Sequence, residues 1–455
     1  MRSRLFLAAL VVAGTAVIAG HAGPAAPAAR GSRFAPVAAR SIPVPQNDPF
    51  YQPPAGYQKT SVGTVLRSRP VQVAVFGILP QSVQAWQLLF RTTAYNGAPM
   101  ASVTTVLRPT GAAPNAIVSY QIAEDSSAPE CAPSYELRLG INPQAAANQA
   151  ELLLADSLVG GGFAVSIPDY EGFQGDFGAP RQPGYVVLDG LRAAQSFHPL
   201  GLPGSSAPAA LWGYSGGSLA SGWAAQLQPA YAPKLNLRGV AVGGFLAVPE
   251  NTVKAINGGL FAGLLASTIP GVLKTNPAFN ATVQKYLTPT GKAALAKGAS
   301  QCEGNNVPQF AFGNLNKYLK IPLASFLALP VVNSSLAALN LGTATPKAPL
   351  FVYQAVHDEV VPIPGVDAAV ANYCQHGDSV TYTRDELSEH VTLGMIGAPA
   401  AFSWLVQRLK SNQAPHGCTT STVLSMDLTW SALVQIPAFL IADILGILGG
   451  GGGIL

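Results

Sequence analysis

Three side chains able to turn an alcohol into a nucleophile occur in a telling order: Ser215 in LWGYSGGSLASGW, Asp358 in HDEVVPI and His390 in DELSEHVTLG. A serine hydroxyl is a weak nucleophile and needs a base, usually histidine held by a carboxylate. Gly213, Ser215 and Gly217 spell G-x-S-x-G, the pattern of a tight strand-to-helix turn that projects Oγ above a sheet. With 47 glycines in the chain the pattern alone is weak, so its context has to carry the argument. A helix starting at the serine would leave backbone N–H groups free beside it, Gly216 foremost, to hold the oxyanion of a tetrahedral intermediate.

Where the turn is a nucleophile elbow, the triad runs serine, acid, histidine along the chain. His21 lies in the N-terminal apolar segment and His198 precedes the serine, which leaves His357, His376, His390 and His416. His376 in CQHGDS and His416 beside Cys418 read as loop residues, whereas His390 follows the last strand of the alternating pattern, where the base is expected. Asp358 sits at a strand end, where open α/β sheets gather their functional groups, with Glu359 as the runner-up. Asp385 and Glu389 read as loop charges near His390. A second oxyanion N–H is expected from YQIAEDSSAPECAPSY, around Glu124 or Asp125. PDYEGFQGDFGAP reads as a lining of the cleft or as a turn held by its own side chains.

The elements that would position these groups can be read from periodicity. AWQLLFRTTAYNGAPMASVTTVLRP gives two alternating runs about Asn96-Gly97, a hairpin signal. Strand-like runs NAIVSYQIA, FAVSIPDY, PAALWGYS and LNLRGVAVGGF then alternate with helical stretches, which implies right-handed crossovers and a mostly parallel sheet flanked by helices. From about Val248 to Thr345 the pattern becomes helical and interrupted by Pro and Gly, as an inserted cap or lid would be. The strands APLFVYQAV and SVTYTRDEL and the helix APAAFSWLVQRLKS resume the sheet. The expected segments are thus an export signal (1–29), an extended arm (30–67), a first core part (68–247), the cap (248–345), a second core part (346–423) and an apolar tail (424–455).

Composition narrows the class. The chain has 455 residues, 49% hydrophobic and 11% charged, with a formal net charge of +4. No basic run is present to hold phosphates, which excludes a nucleic-acid partner. Arg2 and Arg4, an apolar run from Leu5 to Gly20 and small residues up to Ala29 read as an export signal, the alternative being a membrane anchor. The four cysteines, Cys131, Cys302, Cys374 and Cys418, lack the paired spacing of a zinc site, and in an exported chain an even number favours disulfides. They allow three pairings; nearness in sequence favours Cys374 with Cys418, which leaves Cys131 with Cys302. The tail, VLSMDLTWSALVQIPAFLIADILGILGG, is as apolar as a membrane span but carries Asp427, Gln435, Pro437 and Asp443; it reads as a packed or lipid-facing helix, with disorder or a span as alternatives.

Taken together, YQIAEDSSAPECAPSY, PDYEGFQGDFGAPRQPGY, GYSGGSLASGW, HDEVVPI and SEHVTLGMIGAP resemble the secretory lipase family typified by Candida antarctica lipase A, over about Pro45 to Cys418. The resemblance implies an α/β-hydrolase fold with a helical cap carrying an acyl tunnel. It further implies Ser215 as nucleophile, Asp358 as acid, His390 as base, oxyanion N–H groups from Asp125 and Gly216, and disulfides Cys131–Cys302 and Cys374–Cys418. The activity implied is serine-dependent hydrolysis of triacylglycerols and other carboxylic esters outside the cell or in its envelope, with no metal or organic cofactor. Lipid or ester substrates would be met through the cap and the tail. A short-chain carboxylesterase or acyltransferase would use the same triad, and a non-catalytic lipid-binding envelope protein is the rival from another class. The apolar tail departs from the family pattern.

Overall fold

The computed structural model describes residues 42–411 and 415–450. The expected export signal and residues 30–41 of the arm lie outside the described residues. Residues 42–64 form short turns anchored by the buried Tyr51, and the first strand starts at Val65, inside the expected arm, because its backbone pairs with the hairpin that follows.

Ten strands make the main sheet: β1 Val65–Val71, β2 Gln84–Thr93, β3 Pro99–Arg108, β4 Ile117–Gln121, β5 Ala164–Pro168, β6 Ala209–Tyr214, β7 Leu237–Gly243, β8 Leu350–Ala355, β9 Val380–Asp385 and β10 Cys418–Val423. Their order across the sheet is β1-β2-β3-β5-β4-β6-β7-β8-β9-β10. The first three pair antiparallel around the expected hairpin turn, with Gly97 at φ 81°. The seven from β4 onward run parallel. β4, β5, β6 and β8 are buried along their whole length, which explains why they read as continuous apolar runs rather than alternating ones.

Helices cover both faces. On one lie α2 (Gln182–Ser196), α3 (Gly216–Tyr231) and α4 (Ile363–Gln375), packed through Val187, Leu191, Leu219, Trp223, Val366 and Tyr373. On the other lie α1 (Ala146–Gly160), α5 (His390–Ile396), α6 (Ala398–Lys410) and α7 (Ala432–Ile447), packed through Leu152, Leu158, Leu393, Phe402, Phe439 and Ala442. Each fully buried Leu or Phe here stabilises the fold by about 1.5–3 kcal/mol.

Two features complete the fold at its C-terminal end. β10 is an edge strand of exposed Thr and Ser, with no apolar alternation to announce it; the parallel ladder to β9 and the Cys374–Cys418 disulfide hold it in place. The tail forms α7, which lies on α1 at glycine contacts: a Cβ at Gly160 would sit 1.7 Å from the Ala442 carbonyl oxygen, and one at Gly446 1.9 Å from that of Asp156. No helix among the described residues is long and apolar enough to cross a membrane.

Between β7 and β8 the chain forms a run of short helices from Pro249 to Ala337. Prolines at their first positions and the caps Asn276 and Thr288, which accept from the N–H groups of Phe279 and Gly291, punctuate it. Their apolar faces close around Leu273, Phe279, Val283, Phe326 and Val332.

Candidate active site

β6 ends at Tyr214 and α3 begins at Gly216, so Ser215 occupies the turn between them, at φ 49° and ψ −121°. A non-glycine residue in that region costs on the order of 1–3 kcal/mol, which the surrounding packing must offset. The glycines explain how the turn closes. A Cβ at Gly213 would lie 2.2 Å from the Gly217 carbonyl oxygen, and one at Gly217 would lie 1.9 Å from that of Gln121 at the end of β4. Gly216 has a separate reason: its Cβ would fall 2.0 Å from Oδ1 of Asp125.

The Ser215 hydroxyl lies 2.8 Å from Nε2 of His390, and Nδ1 of the same ring lies 2.9 and 3.0 Å from the two carboxylate oxygens of Asp358. The network assigns the Nδ1–H tautomer, leaving Nε2 to accept the serine proton. Asp358 is buried and accepts further hydrogen bonds from the Val360 and Val361 N–H groups (2.9 and 2.6 Å) and from Gln354 (2.8 Å), which fixes the carboxylate. Glu359, the other candidate acid, instead accepts from the His390 backbone N–H at 3.2 Å. Tyr214 donates to the His390 carbonyl at 2.5 Å. The remaining histidines stay apart: His357 is exposed beside Glu386, and His376 bonds the Asn372 carbonyl on the surface.

Of the two oxyanion candidates on the loop after β4, Glu124 has its N–H engaged, 2.9 Å from the Ile122 carbonyl and 3.4 Å from the Tyr170 hydroxyl. The N–H groups of Asp125 and Gly216 have no acceptor among the described residues. Asp125 itself has φ 41°, a conformation the loop must enforce. Glu151 on α1 does part of this by accepting from the Ala123 N–H (3.0 Å) and the Tyr120 hydroxyl (2.9 Å). The cap does more: Ser126 accepts from the Glu303 N–H at 3.0 Å, Ser127 accepts from the Gly271 N–H at 2.8 Å, and Lys274 donates to the Ser127 carbonyl at 2.7 Å. The Cys131–Cys302 disulfide ties the same loop to the cap covalently.

Beyond Glu124 and Asp125 themselves, the loop is ringed by further buried acids, Glu151, Asp169, Glu171 and Glu303, to which the sequence reading gave no role. Burial pushes Asp125 up to about 6, opposed by the nearby His390. It pushes Glu151 and Glu303 up to about 8 and Asp169 up to about 7, against the hydrogen bonds each accepts. Glu124 and Glu171, buried and close to other carboxyls, are raised well above the usual range. Asp169 and Glu171 belong to PDYEGFQGDFGAP and both turn inward: Asp169 accepts from the Ser134 N–H at 2.9 Å, whereas neither oxygen of the Glu171 carboxyl has a hydrogen-bond partner among the described residues. Asp385 likewise is no loop charge: it is fully buried and accepts from Leu387, Ser388 and Met426, holding the loop that delivers His390. Glu389 caps α5. Within the cap lies an apolar cavity of about 120 Å³, lined by residues such as Leu265, Ile269, Phe279, Phe326 and Leu336. Neither a charged residue nor any of Ser215, Asp358 and His390 lines it.

A mostly parallel sheet with a serine elbow at its carboxyl edge and a cap inserted late in the chain makes this protein an α/β-hydrolase. More narrowly, it belongs to the secretory lipase family, whose sequence model matches residues 137–417. It is 36% identical over 420 residues to Lipase A of Arthroderma benhamiae, covering 90% of each chain. It is 40% identical over 368 residues, 80% of this chain and 82% of the other, to a Mycobacterium tuberculosis protein named "Probable inactive lipase MT1628". The structure resembles that of Candida antarctica lipase A with a TM-score of 0.77 at 27% identity, covering 91% of this chain and 99% of that one.

Proposed function

We propose that the protein is an exported lipase that hydrolyses triacylglycerols and other carboxylic esters through an acyl-enzyme. The observation that carries this reading is the continuous hydrogen-bonded chain from Ser215 through His390 to Asp358. Ser215 Oγ attacks the ester carbonyl while its proton passes to His390 Nε2; Asp358 stays ionised and steadies the imidazolium. The negative oxygen is received by the N–H groups of Asp125 and Gly216. His390 then gives its proton to the departing alcohol, and water, activated by the same imidazole, releases the acid. The cap cavity, without a charged wall, suits an acyl chain. Exposed Leu260 and Phe312 on the cap, and a larger apolar surface on the tail, suit contact with a lipid phase.

The test is labelling by a fluorophosphonate and hydrolysis of p-nitrophenyl esters from C2 to C16 and of emulsified triolein. Serine-dependent labelling with activity on long chains is expected. Activity confined to C2 to C4 overturns the lipase reading in favour of a short-chain esterase, and wild-type labelling equal to that of Ser215→Ala overturns the enzyme reading altogether.

A further inference from the structure

Helices on protein surfaces ordinarily turn an apolar stripe inward and a polar one outward. α7 has apolar stripes on both sides. Ala432, Phe439, Ala442 and Gly446 are buried against the fold, whereas Leu433, Val434, Pro437, Leu440, Ile441 and Ile444 are exposed. At 3.6 residues per turn those six fall within roughly 120° of arc, a single face roughly 20 Å long. Counting Leu448 just beyond the helix, the large apolar side chains of this face leave roughly 600 Å² in water, the upper end of what a soluble monomer shows and a mark of a surface that is covered in use.

Charge and position decide what covers it. After Lys410 the chain contains no lysine or arginine, and its only acids are Asp427 and Asp443. A bilayer rich in anionic headgroups therefore gains nothing from this face, and an uncharged lipid phase does. The apolar surface also runs on beyond α7, through Trp430 (89% exposed), Leu428 and Leu424. There the backbone joins the loop that presents the base: the Leu387 N–H donates to the Leu424 carbonyl at 3.1 Å, and the Met426 N–H to Asp385 at 2.6 Å. Exposed Leu387, Val391 and Met395 extend the surface beside His390. A second copy of the chain seated on this face would crowd that end of the molecule, whereas a lipid surface would bring substrate to it.

We propose that the outer face of α7, continued by Leu424–Trp430, docks on an uncharged lipid surface, with the helix lying in the plane of the interface rather than crossing it. The inference rests on the lipase reading for its purpose but not for its test.

Docking is measured by flotation of the full chain carrying Ser215→Ala with triolein droplets stabilised by phosphatidylcholine, and with the same droplets containing phosphatidylglycerol. Adsorption to the first, not strengthened in the second, is expected. Leu440→Ser with Ile444→Ser, and separately Leu433→Ser with Val434→Ser, are each expected to weaken adsorption at least tenfold with Tm unchanged. In the chain that keeps Ser215, both pairs are expected to reduce triolein hydrolysis and leave hydrolysis of dissolved p-nitrophenyl butyrate as it was. Undiminished adsorption by both pairs overturns the proposal. So does a lipid-free dimer, seen by sedimentation, that both pairs convert to monomer without loss of adsorption, since the face is then a contact between copies. Absence of butyrate hydrolysis in a chain that still floats overturns the lipase reading alone.

Discussion

Glycine closes two contacts in this molecule, and they serve opposite ends. At the elbow, Gly213, Gly216 and Gly217 let a strand, a helix and the Asp125 loop converge, and the space won is filled by groups positioned for chemistry. At the back, Gly160 and Gly446 let α1 and α7 touch backbone to backbone, and the space won is filled by nothing but adhesion. The same residue type thus supports a strained turn in one place and an unstrained dock in the other. The difference lies in what faces the missing Cβ: the Asp125 carboxyl at Gly216, plain backbone at Gly160 and Gly446.

Substitutions can separate the two contacts. Ser215→Ala is expected to lower kcat/KM on dissolved esters roughly 10⁴-fold or more while leaving Tm and the α1–α7 contact intact, as a difference scan and steady-state kinetics would record. Gly216→Ala, whose methyl meets the Asp125 carboxyl, is expected to cost roughly 10²-fold in kcat through displacement of the N–H groups proposed to hold the oxyanion, with KM little changed. If that variant kept full activity, the tight packing at the elbow would be incidental. Gly446→Val is expected to lose about 1–3 kcal/mol in denaturant unfolding through overpacking, and to keep kcat/KM on dissolved butyrate within about twofold. A matching loss of kcat would show that the back contact is not independent of the site.

The smallest expected effect is in pH. Each region buries carboxyls that hold their protons in the folded state beyond their ordinary range: Glu303 up to about 8 near the site, Asp443 up to about 6 at the back, where it faces Asp156. The folded chain then binds more protons than the unfolded one between the ordinary and the raised values, so stability falls as pH rises through that window and levels off above it. Tm is expected to decline from pH 4 to pH 8. Glu303→Gln should flatten the upper part of that decline and Asp443→Asn the lower part, each read by thermal scans at one-unit steps.

How much of this was legible in the sequence depended on where the physical cause lay. The elbow was readable because its demand is local: small residues two before and two after a serine at a strand-to-helix junction. The order of Ser215, Asp358 and His390 was readable because the topology puts parallel strand ends in one row. Helix punctuation in the cap was readable from its Pro and Gly residues. The buried acids were not, because Glu151 and Glu303 act on residues far along the chain and look like any surface glutamate in isolation. β10 was not, because TTSTV carries no apolar alternation. The tail was readable as a packed or lipid-facing helix, but not which of its faces turns inward: hydropathy sums a helix over all its faces, whereas Gly160 and Gly446 decide that.

The Cys131–Cys302 bond, described above as a tie between loop and cap, also makes a covalent ring that encloses Ser215 and excludes Asp358 and His390. A peptidase cut anywhere inside that ring opens a loop without parting the molecule. Exposed Pro289 and Thr290, at a helix start between Ser215 and Cys302, offer such a place, and the bond then holds the fragment carrying Ser215 to the fragment carrying Asp358 and His390. For an enzyme released among the peptidases of its surroundings, the bond turns a severing cut into a nick, and the serine stays within reach of its base.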